Sequence, residues 1–74
     1  MTNAEFLINL NKIIGQTLRR MQLTQGIMRD YLQRVMKWLN CARSAIKQGR
    51  RTLAESDFRF ALMWLREGRK ALAN

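Results

Sequence analysis

The residue types that carry out acid–base, nucleophilic or metal-assisted catalysis are scarce in this chain. Its 74 residues contain one cysteine, no histidine and five carboxylates, which are spread along the sequence. A catalytic cysteine needs a neighbouring base or cation, and a zinc site needs several cysteine or histidine ligands. The sequence also lacks a glycine-rich phosphate loop. We therefore expect no enzymatic activity, no cofactor and no metal, and we interpret Cys41 as a small, partly buried apolar residue.

Cations are the abundant chemical groups. The chain carries 14 Lys and Arg against 5 Asp and Glu, a net charge of +9. The excess lies mainly in residues 24–51, where seven cations accompany a single acid, Asp30. A helix face that meets only water usually mixes both signs, as residues 52–74 do. The missing acids indicate an anionic partner.

A helix through this segment would place several cations within an arc of about 120°, along about 33 Å from Arg29 to Arg51. A row of that length suits a nucleic-acid backbone, because neutralising phosphates releases counterions and supplies most non-specific affinity. We predict that the strongest contacts come from Arg43, Lys47, Arg50 and Arg51, with support from Arg29, Lys37, Arg19 and Arg20.

The composition favours helix throughout, because the chain has no proline and only four glycines. Apolar residues recur at intervals of three and four, which predicts helices at residues 3–23, 26–48 and 53–72 of one domain, residues 1–74. Capping boxes, in which a Thr and the Glu three residues later accept each other's backbone N–H, predict the first start at Thr2 and the third at Thr52.

Two glycines mark the helix boundaries. Gly49 suits the position that follows a helix C-terminus. Gly26 could lie in a turn or inside one long helix, and we favour a turn. A helix-turn-helix around Gly26 is disfavoured, because Gln22 stands where a small residue usually lets the two helices approach.

The apolar faces are broad for three short helices, and so short a chain has a small core. The predicted core faces comprise Leu7, Leu10, Ile14, Leu18, Met21, Met28, Leu32, Val35, Leu39, Ala42, Ile46, Phe58, Ala61, Leu62, Leu65 and Leu72. Four aromatic residues widen them, namely Tyr31, Trp38, Phe60 and Trp64. We predict an all-α fold, a helical hairpin plus an N-terminal helix, packed as a homodimeric bundle through these aromatics. A partner-binding groove and a fully intramolecular core are the alternatives.

These features predict a non-enzymatic regulatory or accessory protein that binds DNA or RNA mainly through phosphate contacts. The alternative is a stoichiometric modulator, an inhibitor or adaptor such as mobile genetic elements encode, which docks on an acidic host protein through an aromatic anchor. A basic helix lying on an anionic membrane is a minor alternative.

The longest apolar run, residues 61–65, falls far short of the roughly 20 residues that span a bilayer. We expect no secretory signal and a cytoplasmic location, which the lone cysteine fits.

Overall fold

The computed structural model describes the backbone of residues 1–73 and the side chains of residues 1–68. The chain forms three helices, α1 (Asn3–Leu23), α2 (Ile27–Lys47) and α3 (Arg51–Ala73), and the described residues contain no strand. Helices α2 and α3 form a hairpin, and α1 packs against α2. The predicted all-α fold, a helical hairpin plus an N-terminal helix, is confirmed.

Helix α1 begins with the predicted capping box. The Thr2 hydroxyl accepts the Glu5 N–H at 3.1 Å, and the Glu5 carboxylate accepts the Thr2 N–H at 3.2 Å. The helix ends at Leu23, and Gly26 follows with a φ of 71°. An L-residue with a side chain rarely adopts that conformation, so glycine permits the turn here. The predicted turn at Gly26 is confirmed.

Helix α2 ends in a Schellman motif, the hydrogen-bonded turn that commonly terminates helices. Gly49 has a φ of 76°. Its N–H donates to the Ile46 carbonyl at 3.1 Å, and the Arg50 N–H donates to the Ala45 carbonyl at 2.9 Å. The prediction that Gly49 terminates this helix is confirmed.

The start of α3 differs from the prediction. The helix begins at Arg51 rather than at residue 53, and Thr52 lies inside its first turn instead of capping it. Arg50 closes the Schellman turn with its N–H, and its carbonyl already accepts the Ala54 N–H at 3.0 Å. The new helix therefore starts directly after the turn. The Glu55 side chain binds Arg51 instead of a backbone N–H. The capping box predicted at residues 52–55 was therefore wrong.

Helix α2 supplies most of the core, because α1 and α3 both pack against it. The predicted α2 face is buried, except for the half-buried Met28. The core cluster comprises Phe6, Leu10, Ile14, Val35, Met36, Leu39, Ala42, Ala45, Ile46, Ala54 and Ala61.

Two residues predicted for the core are exposed. Leu18 is 45% exposed and Leu62 is 43% exposed, whereas Phe6 and Thr17 are buried. The Thr17 hydroxyl tolerates burial because it donates to the Ile13 carbonyl at 2.8 Å. Leu18 falls at the outer edge of the buried face of α1. Leu62 lines an open groove between α1 and α3. The side chain of Leu72, also predicted for the core, lies outside the described residues.

Candidate nucleic-acid interface

The outward face of α2 carries a row of exposed cations, which we call the α2 basic face: Arg29, Lys37 and Lys47. Neutral polar residues that are also exposed lie among them, namely Gln33, Asn40 and Ser44. At 100° per residue, all six lie within about 80° of one another, on the side opposite the core. From Arg29 to Lys47 the row covers about 27 Å. The predicted continuation to Arg51 was wrong, because α2 ends at Lys47.

No carboxylate neutralises the α2 basic face within residues 1–68. The ion pair found in that part of the chain joins Arg51 to Glu55 on α3. Asp30, the one acid of α2, is exposed and makes no ion pair with any described side chain. The positive charge that the sequence concentrates in this segment therefore stays on the surface of the folded chain.

Arg43 lies at the border between the α2 basic face and the core. Its side chain is half-buried, and its Nη2 donates to the Asn40 Oδ1 at 3.1 Å. A guanidinium offers five N–H donors, so this bond orients the group while using one of them. Arg43 is thus held beside the row formed by Arg29 and Lys47 with most of its donors available.

Arg50 and Arg51 follow α2 but are placed differently. Arg50 is exposed in the turn, whereas Arg51 is tied to the N-terminus of the chain. The Arg51 Nε donates to the Glu55 Oε1 at 2.7 Å, and its Nη1 donates to the Asn3 Oδ1 at 2.9 Å and the Met1 carbonyl at 3.2 Å. Its guanidinium carbon also lies 4.8 Å from the centre of the Phe6 ring. Arg51 therefore joins α3 to the start of α1.

Arg19 and Arg20 lie on another surface. Both line an open groove of about 470 Å³ between α1 and α3, together with Ile13, Gln16, Thr17, Leu62 and Leu65. No α2 residue lines this groove. Arg20 also lines a small depression with Met28, Tyr31 and Leu32 of α2, which lie on the packed side of that helix and not on the α2 basic face. The eight predicted cations therefore do not form one continuous site.

The four predicted interface aromatics pair with one another between α2 and α3. The Tyr31 and Trp64 rings meet edge to face at 5.4 Å, and the Trp38 and Phe60 rings stack at 5.1 Å. Tyr31, Trp38 and Trp64 are half-buried by this packing, whereas Phe60 remains 44% exposed. Phe60 is thus the aromatic side chain of the four that offers most surface to a partner.

Sequence reasoning missed Arg34. Its guanidinium carbon lies 5.8 Å from the centre of the Trp64 ring, close enough for a cation–π contact. The contact joins α2 to α3 and could not be read from spacing along either helix. The Arg34 guanidinium thus lies over the Trp64 ring of the Tyr31–Trp64 pair.

Cys41 is exposed, so the prediction that it is partly buried was wrong. It falls on α2 about 160° from Arg43, outside the face that packs against α1 and α3. Among the described side chains, no three Cys, Asp or Glu residues are grouped closely enough to hold a metal ion.

None of the helices, over the residues that the structure describes, has an apolar stretch long enough to cross a bilayer. Comparison with protein-family models, curated proteins and solved structures finds no match to this chain.

Proposed function

We propose that this protein is a non-enzymatic nucleic-acid-binding protein that contacts DNA or RNA phosphates through the α2 basic face. The supporting observation is the exposed row of Arg29, Lys37 and Lys47, which no described carboxylate neutralises. Arg43 and Arg50 extend the positive surface at the C-terminal end of α2. Arg51 contributes less, because its Nε and Nη1 groups already bind Glu55, Asn3 and the Met1 carbonyl.

The dimensions of the α2 basic face suit a phosphate backbone. The row of about 27 Å corresponds to about eight base pairs of duplex, which present one charge per about 1.7 Å. The cations are spaced along one helix rather than gathered round a pocket, and this favours a polymer over a small anion. Because phosphate contacts carry no sequence information, the proposed binding is mainly non-specific.

A salt titration with matched variants tests this proposal. The affinity for a fluorescent duplex or single strand is measured by anisotropy at several salt concentrations. Replacing Arg29, Lys37 and Lys47 together with alanine removes three phosphate contacts. We expect the slope of log affinity against log salt to fall by about 2 to 3 for a duplex, since each contact contributes about 0.9.

The matched control removes the same charge from another surface. Alanine at Lys12, Arg19 and Arg20 lowers the net charge equally but leaves the α2 basic face intact. We expect its salt slope to stay close to that of the wild type. Equal losses in both triple variants would refute a defined interface on α2, and absence of salt-dependent binding by the wild type would refute the function.

A second candidate function is a stoichiometric modulator that docks on an acidic protein. It is supported by three apolar side chains that are between 44% and 48% exposed on α3, namely Leu53, Phe60 and Met63. The discriminating variant is Phe60→Ala. It should abolish a complex anchored by that ring, while the α2 basic face and its phosphate contacts remain.

We also propose that two chains associate through these aromatic and apolar residues. The core of so short a chain supplies only a few kcal/mol of stability, so an additional apolar interface would contribute substantially. The exposed Phe60 supports this proposal.

A further inference from the structure

The outward face of α3 combines apolar side chains with two open depressions. Phe60 is 44% exposed and Met63 is 48% exposed. One depression, of about 340 Å³, is lined by Ser56, Arg59, Phe60 and Met63. The other, of about 250 Å³, is lined by Arg59, Leu62, Met63, Arg66 and Glu67. Met63 lies between them and contributes to both.

Two opposite charges on this face, Arg59 and Glu67, lie at equal distances from Met63, whereas the cation Arg66 is mirrored by Phe60. Arg59 lies four residues before Met63 and Glu67 four residues after it, so the two groups are separated by about 12 Å along the helix. Both side chains are exposed, and neither makes an ion pair with another described side chain. Two copies of such a helix, placed antiparallel, bring opposite charges together at both ends at once.

We infer that a second copy of this chain docks on the outward face of α3, antiparallel, with the two-fold axis passing next to Met63. Each Arg59 then lies opposite the partner's Glu67. Each Phe60 lies opposite the partner's Arg66 and enters the depression beside it. This inference deepens the proposed dimer by naming its surface and register, and it does not depend on nucleic-acid binding.

The charge distribution favours a second copy as the occupant. An isologous interface must be complementary to itself, and the α3 face carries both signs in the required positions. The α2 basic face lacks this property, because two copies of it would repel each other. A cation placed over an aromatic ring, as Arg66 would be over the partner's Phe60, adds a favourable contact.

The test is the mass of the full chain in solution. Light scattering is recorded at low ionic strength from micromolar to near-millimolar concentration, without nucleic acid. We expect the wild type to pass from 8.8 kDa to twice that mass as its concentration rises.

Arg59→Glu and Glu67→Arg each turn both attractive pairs into repulsive ones, and each should weaken the dimer about tenfold. The double variant restores opposite charges and should recover most of the affinity.

Net charge alone predicts a different pattern. Arg59→Glu lowers the net charge by two and would strengthen the association of a basic protein, whereas Glu67→Arg would weaken it. Lys12→Glu, which lowers the net charge equally on α1, is the matched control and should not weaken the dimer. Circular dichroism verifies that each variant is folded.

A wild type that stays monomeric over the whole range would overturn the inference. Single variants that shift the affinity in opposite directions, or a double variant no better than the worse single variant, would also overturn it. Because no nucleic acid is present, these results are independent of the salt titration that tests the proposed function.

Discussion

Lys47 and Arg51 are four residues apart in the sequence, but the folded chain gives them different exposure and different hydrogen-bond partners. Lys47 is exposed at the end of α2, whereas Arg51 is half-buried and binds Glu55, Asn3 and the Met1 carbonyl. The Gly49 turn separates them and gives each its own surroundings. Charge alone therefore does not identify a cation as part of a binding face.

We predict that Arg51→Ala lowers the free energy of unfolding by about 1 to 2 kcal/mol, because it removes hydrogen bonds between α3 and the start of α1. Lys47→Ala should change it by less than about 0.5 kcal/mol, since its side chain is exposed. Urea unfolding followed by circular dichroism measures both values. Equal stability of the two variants would contradict the structural role of Arg51.

The candidate site was only partly predictable at this scale. The sequence places seven cations and one acid in residues 24–51, and Arg29, Lys37 and Lys47 are among the contacts it predicts. It ranks Arg43, Arg50 and Arg51 with Lys47 as the strongest contacts, because it does not show where α2 ends. It does not show that Asn3 meets Arg51 across 48 residues, because that contact depends on how α1 and α3 pack. The position of Arg19 in the groove between α1 and α3 also depends on how these helices pack.

At the scale of the elements, local sequence signals gave most of the helix boundaries. The capping box at Thr2 and the glycines at residues 26 and 49 act through backbone geometry within a few residues, so spacing reveals them. The start of α3 offered two competing signals, and the Schellman turn at Gly49 prevailed over Thr52. The exposure of Leu62 could not be predicted, because it depends on the groove between α1 and α3. Leu18 is exposed for another reason, since it lies at the outer edge of the buried face of α1.

The approach of α3 to α2 depends on one glycine. A Cβ placed on Gly68 would overlap the Tyr31 ring, whereas a Cβ on Gly15 would meet nothing within 4 Å. We predict that Gly68→Ala destabilises the fold by about 1 to 3 kcal/mol through overpacking. Gly15→Ala, the matched control, should stabilise it by up to about 1 kcal/mol, because alanine favours helix. Thermal unfolding measures both, and a neutral Gly68→Ala would contradict the close contact.

At the scale of the whole molecule, the α2 basic face and the outward face of α3 point in opposite directions. Tyr31 and Trp38 contact α3, and Arg29 and Lys47 lie about 160° to 180° around α2 from them. Met63 lies about 160° around α3 from the buried Ala61. A dimer formed through α3 would therefore carry its two basic faces on opposite outer sides.

We predict that such a dimer bridges two nucleic-acid segments instead of wrapping one. Beads carrying one immobilised duplex should retain a second, fluorescent duplex only when wild-type protein is added. Phe60→Ala should bind the immobilised duplex but fail to capture the second one, because each monomer has a single α2 basic face. Undiminished capture by Phe60→Ala would contradict this arrangement.

The exposure of Cys41 has a practical consequence. It is the only cysteine of the chain, and it lies one helical turn beyond Lys37, about 6 Å along α2. A thiol-reactive fluorophore would therefore attach at one defined position without engineering. Its emission would report when a polyanion arrives at the helix, so occupancy could be followed in real time on an otherwise unaltered molecule.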